Sequence, residues 1–137
     1  MKLKDVMTKQ VVSVRPFQSI GEAAQIMSQN DVGAVPVVEK GQCIGILTDR
    51  DIAIRAIARN LGPSTEVREI MTQNVVTADS HMDVQDAVNL MSENQVRRIP
   101  VMDNAQLGGI ISLGDVAISN GYQGEAGEAL TDISKPE

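Results

Sequence analysis

Apolar positions in this chain switch between two periods. Val11-Val12-Ser13-Val14 reads as a short β run, and Ser19 then opens a stretch in which Ile20, Ala23, Ala24 and Met27 recur at helical spacing. Glu22, three residues after Ser19, suits the capping box of a helix N-terminus, and Asn30-Asp31 ends the helix. Ala34-Val35-Pro36-Val37-Val38 is a β run whose proline belongs at a sheet edge or strand start. Lys40-Gly41-Gln42 is a turn signal, and Cys43-Ile44-Gly45-Ile46-Leu47 completes a hairpin. Asp49 is placed to cap a further helix through Ile52, Ala53, Ile54, Ala56 and Ile57, closing near Asn60-Leu61-Gly62-Pro63.

The pattern then starts again. Met7-Thr8 returns as Met71-Thr72, an offset of 64 residues (71 minus 7). The same offset carries Val11-Val12 onto Val75-Val76, Met27-Ser28 onto Met91-Ser92, Pro36-Val37 onto Pro100-Val101, Gly45-Ile46 onto Gly109-Ile110 and Asp51 onto Asp115. Sixteen of the 48 positions from 6 to 53 are identical without a gap, so the chain is an internal duplication. In the second copy Asp83 opens a helix through Val84, Ala87, Val88, Leu90 and Met91. Strands follow at Ile99–Met102 and Leu107–Ile111, then a helix from about Gly114 to Ser119. The expected architecture is α/β: two β-α-β-β-α repeats, 1–60 and 70–120, packed with pseudo-twofold symmetry. A linker at 61–69 joins them. Two copies are too few for a solenoid. Residues 121–137 read as a mobile tail or a short extra helix around Glu128–Ile133, and truncation after Asn120 is expected to leave melting little changed.

Composition narrows the function. Eighteen acidic against twelve basic residues give a net charge of −6, which argues against a general nucleic-acid binder and against docking on anionic lipid. One Phe, one Tyr and no Trp exclude base stacking on aromatic platforms, so Val, Ile and seven Met must fill the core. One cysteine, Cys43, and one histidine, His81, exclude an intrachain disulfide and a Cys- or His-rich metal centre. With no run of about 18 apolar residues and no apolar leader after Met1, a cytoplasmic setting is the expectation.

Two residue pairs have the makings of a ligand site. Thr48 leaves a strand and Asp51 follows three residues on, so the two share a face of the helix start; Ser112 and Asp115 repeat this. A carboxylate can accept from both vicinal hydroxyls of a ribose. The same residues also suit plain helix capping. Asp49 and Asp51 flank Arg50, but no histidine, nucleophile or metal cluster joins them in an acid–base constellation, so neither catalysis nor a cofactor is expected.

The sequences Ala34-Val35-Pro36-Val37-Val38 with Gly45-Ile46-Leu47-Thr48-Asp49-Arg50-Asp51, and Arg98-Ile99-Pro100-Val101-Met102 with Gly109-Ile110-Ile111-Ser112-Leu113-Gly114-Asp115, resemble the CBS domain. The pair over about residues 3–120 resembles a tandem CBS, or Bateman, module, similar to small stand-alone bacterial CBS-pair proteins. The resemblance implies a sensor that binds AMP, ADP, ATP or S-adenosylmethionine in the cleft between repeats. It places Val12, Val35 and Pro36, with Val76, Ile99 and Pro100, along the adenine slot, although each also suits core packing. It implies that Arg98, with Arg97, reaches phosphate held at the Thr48/Asp51 corner; the equivalent Gly33-Ala34 offers no cation. It further implies a homodimer and an unidentified regulated protein. A constitutive interaction module with vestigial nucleotide sites is the rival reading.

Overall fold

Ser19 and Asp83 open the two long helices. The Ser19 hydroxyl accepts from the backbone N–H of Glu22 at 3.1 Å, and the Asp83 carboxylate accepts from that of Gln85 at 3.2 Å. Helix α1 (Ile20–Asn30) buries Ile20, Ala23 and Met27, and α3 (Val84–Asn94) buries Val84, Ala87, Val88 and Met91. Each ends on a left-handed residue, Asp31 or Gln95, whose N–H returns to the last turn. The structure is a computed structural model that describes residues 1–119 and 123–134.

Strands β1 (Ala34–Glu39) and β2 (Gln42–Thr48) form the first hairpin, and β5 (Arg98–Asp103) and β6 (Gln106–Ser112) form the second. The short strand β3 (Thr72–Gln73) adds antiparallel to β2, while β4 (Ala78–Asp79) adds parallel to β5. Two three-stranded sheets result, in the orders β1-β2-β3 and β4-β5-β6. The β run expected at 11–14 is reduced to Val14, which bridges Val37 in parallel. Lys40-Gly41 and Asn104-Ala105 turn the hairpins with both residues at positive φ, as a two-residue turn matched to strand twist requires. Ala105 sits at φ 64°, where a Cβ is disfavoured. Ala105→Gly is therefore expected to raise the melting temperature, by about 1 kcal/mol of stability, read by calorimetry.

The packing units do not follow the repeat boundaries 1–60 and 70–120. One compact unit is Val12–Val75; the other joins Met1–Val11 to the chain from Val76 onward. Each repeat's leading Met-Thr segment packs on the hairpin of the other repeat. Thr8 exchanges backbone hydrogen bonds with Ile110 at 2.9 and 3.0 Å, and Thr72 pairs with Ile46. Leu3 is fully buried among Val84, Val88, Met91, Ile99 and Val101. Residues 61–69 likewise belong to the first unit, where Val67 is fully buried and Ile70 nearly so. Glycine explains the close fit. A Cβ on Gly109 would lie 2.6 Å from the Thr8 carbonyl oxygen and 2.9 Å from the Met7 sulfur. One on Gly45 would lie 2.7 Å from the Thr72 oxygen and 2.9 Å from the Met71 sulfur.

Of the two expectations for the chain end, the extra helix holds and the mobile tail does not, and the helix begins earlier than Glu128. Helix α4 (Leu113–Ile118) is followed by α5 (Gln123–Ile133), which packs on α3 and α4. Ala126 and Ala129 are buried in the second unit's core, with Ile133 against it. Small residues let this helix approach closely, which is why a hydrophobicity count missed its first turn and its docking. Truncation after Asn120 is thus expected to destabilise the fold. Residues 120–122 and 135–137 of the expected tail lie outside the described residues.

Candidate functional site

Both strand-to-helix corners are built alike. At the first, the Thr48 hydroxyl accepts from the Asp51 N–H at 3.0 Å, and an Asp51 carboxylate oxygen accepts from the Thr48 N–H at 3.0 Å. At the second, Ser112 and Asp115 make the same reciprocal pair at 3.0 and 3.1 Å. These are capping boxes, so the capping role is realised in both copies. The cap is Thr48, not Asp49 as expected; the Asp49 carboxylate instead accepts from the Arg50 N–H and lies beside Gly33. In the first copy α2 (Asp49–Asp51) runs on as a π turn over Ile52–Ala56 and a 3-10 turn over Ile57–Arg59.

The corners differ in what else meets the carboxylate. Asp51 is buried, and its Oδ1 lies 3.7 Å from the Arg55 guanidinium, which also donates to the carbonyls of Ile70 and Met71. The position equivalent to Arg55 is Ser119, whose hydroxyl donates to the Asp115 carbonyl. Asp115 is only half-buried, and its Oδ2 also accepts from the Thr8 hydroxyl at 3.4 Å. Arg55 and Thr8 were not foreseen as site residues. The i,i+4 spacing of Asp51 and Arg55 was a usable signal for the first; nothing local announced Thr8.

Arg98 stands directly opposite Ser112 across the β5–β6 pair, and the Leu113 N–H donates to the Arg97 carbonyl at 2.8 Å. Both arginines line a cleft of about 560 Å³ with Ser112, Leu113, Gly114, Ala117, Ala126, Gly127 and Leu130. That size lies in the range of small-molecule sites. No salt bridge or hydrogen bond joins either guanidinium to another described residue. The first corner differs: the position equivalent to Arg97 is Gly33, where a Cβ would lie 2.9 Å from the Asp49 carboxylate, and Leu113 stands in place of Asp49 in the second copy.

The other candidates divide by exposure. Val35 and Ile99 have no exposed surface; they are core residues, and their side chains present nothing to a ligand. Pro36 and Pro100 are buried, while Val12 and Val76 are half-buried against the cores. Burial pushes the half-buried Cys43 thiol up, away from a reactive thiolate. Among the described residues no three His, Cys, Asp or Glu side chains come together as metal ligands, and no helix is long and apolar enough to cross a membrane.

The CBS domain profile matches residues 3–57 and 67–119, and the chain belongs to that family as a tandem pair. It is 47% identical over 132 residues to the CBS domain-containing protein YhcV of Bacillus subtilis, spanning 96% of this chain and 94% of that one. A crystal structure of Hypoxic Response Protein I with two coordinated zinc ions superposes with a TM-score of 0.78 at 34% identity, covering 85% of this chain and 97% of the other. A relative of that name, Hypoxic response protein 1, comes from Mycobacterium tuberculosis. The CBS domain pair of protein MJ0100, solved with 5′-methylthioadenosine and S-adenosyl-L-methionine, gives a TM-score of 0.75 at 32% identity, covering 85% and 93%.

Proposed function

We propose that this protein is a non-catalytic regulatory module that binds an adenosine-containing ligand. The observation that carries the reading is the second unit's cleft. It sets the Ser112 hydroxyl, capped reciprocally onto Asp115, beside two arginines that pair with no other described residue, in a space of small-molecule size. The adenosyl complex of the MJ0100 CBS pair supports the choice of ligand class. Arg97 and Arg98 receive the anionic group, since guanidinium forks suit phosphate. Asp115 and Ser112 face the sugar. This assigns Arg98 to the Ser112 corner, its neighbour across the strand pair, where the resemblance implies that it serves Thr48 and Asp51.

The first corner favours the rival reading for itself alone. Asp51 is tied to Arg55, and Gly33 and Ala34 bring no cation, so Thr48 and Asp51 form the weaker site. Calorimetry with AMP tests the assignment. Asp115→Ala is expected to remove the tighter event and Asp51→Ala to spare it, each losing about 1 kcal/mol of stability with its cap. The reverse outcome would put the phosphate at the first corner.

Ligand binding acts by shifting a population between two states, and a second copy is the natural transmitter. Ile54 and Ile57 on the first copy's helix and Ile118 at the end of α4 are exposed, which supports assembly as a homodimer through these helices. Light scattering is expected to show twice the chain mass at micromolar concentration; a stable monomer would refute this.

A further inference from the structure

Helix α5 lies beyond the residues matched by the family profile, which ends at 119, yet it supplies one wall of the arginine cleft. Its faces are sorted. Ala126 and Ala129 point into the core, Glu125, Glu128 and Asp132 line a groove shared with α3, and Gly127 and Leu130 face the arginines. Among the described residues that line the arginine cleft none is acidic, and Asp115 adjoins it only through its cap with Ser112. Gly127 stands mid-helix, where glycine weakens a helix relative to alanine, and a Cβ built on it meets no atom within 4 Å. The glycine is therefore not demanded by packing. What it does is leave the cleft open opposite Arg97 and Arg98. Leu130, 43% exposed, is a large apolar side chain beside that opening.

We propose that α5 is the specificity wall of the second unit's cleft. Gly127 leaves room for a bound adenosine phosphate, and Leu130 gives its apolar body a surface. This rests on the adenosyl-ligand reading above and adds what that reading lacks: a segment outside the CBS repeats that decides what fits. That no described lining residue is acidic adds a preference. A phosphate meets two guanidinium groups, whereas the sulfonium of a cationic adenosyl compound such as S-adenosylmethionine meets no acid among the described residues of that lining.

Two variants separate size from charge. Gly127→Leu fills open space and improves the helix, so the fold should melt no lower than wild type. It should weaken AMP and adenosine alike by tenfold or more in calorimetry. Leu130→Asp places an acid against the arginines; it should weaken AMP by tenfold or more and adenosine by much less. If the wild-type chain binds AMP and both variants bind it unchanged, α5 is not part of the site and the inference is overturned, while the adenosyl reading stands. If the wild-type chain binds neither AMP nor adenosine, the reading beneath falls and this inference falls with it.

Discussion

Valine in place of Gly109 is expected to melt the protein far below the wild-type temperature. The backbone of Gly109 carries no unusual φ, so the cost is steric. Its missing side chain is the space in which the Thr8 carbonyl and the Met7 thioether sit. The Met7 sulfur could swing away, but the Thr8 carbonyl is fixed by its exchange of hydrogen bonds with Ile110. Any relief must pull residues 3–8 off the sheet and expose Leu3, which is fully buried. Overpacking of this kind costs about 1–3 kcal/mol, and uncovering a buried leucine adds to it. At about 2–8 °C per kcal/mol for domains near this size, a fall on the order of 10 °C is expected by calorimetry. Gly45→Val should do the same through Met71 and Thr72. Melting within about 2 °C of wild type would mean that the Met-Thr segments do not pack where they are described.

Removal of the two arginines is expected to have the largest effect on binding. A charge-assisted hydrogen bond contributes roughly 1.5–3 kcal/mol, which is about 10- to 150-fold in affinity. Arg98→Ala should weaken AMP by that factor and adenosine far less, and Arg97→Ala should act in the same direction. Neither side chain holds another described residue, so stability should stay near wild type. The AMP affinity of the wild-type chain should also fall with added salt, and that salt dependence should shrink in the variants. Equal weakening of AMP and adenosine would show that the arginines shape the cleft and do not meet phosphate.

The features legible in the sequence are those fixed by short-range chemistry. The 64-residue repeat, the α1 and α3 caps at Ser19 and Asp83, and both hairpins follow from period, turn residues and capping signals within a few positions. What escaped depends on partners distant in sequence. Val11–Val14 has strand composition, but only Val14 finds a neighbouring strand. The exchange of Met7-Thr8 and Met71-Thr72 between repeats is invisible to a repeat boundary, although Gly45 and Gly109 marked the place where backbone approaches backbone. Helix α5 was legible only as an alternative around Glu128–Ile133; its start and its docking escaped because alanine and glycine carry little hydrophobic signal, though they are what lets it dock. At the site, Thr48, Asp51, Ser112 and Asp115 could be paired by spacing alone. That Arg97 and Arg98 stand beside Ser112, and that Val35 and Ile99 turn wholly inward, required the register of the sheet.

If the duplicated corner serves an adenosyl ligand and not packing alone, the folded chain must be stabilised by that ligand. The most direct measurement is thermal unfolding of the wild-type chain against rising AMP, with adenosine, ADP, ATP and S-adenosylmethionine in parallel. A ligand at 100 times its dissociation constant should add about 2.7 kcal/mol, a rise of several degrees. The expected result is a rise that grows with AMP concentration, is smaller for adenosine and is lost in Asp115→Ala. An unchanged melting temperature with all five compounds at millimolar concentration would contradict it.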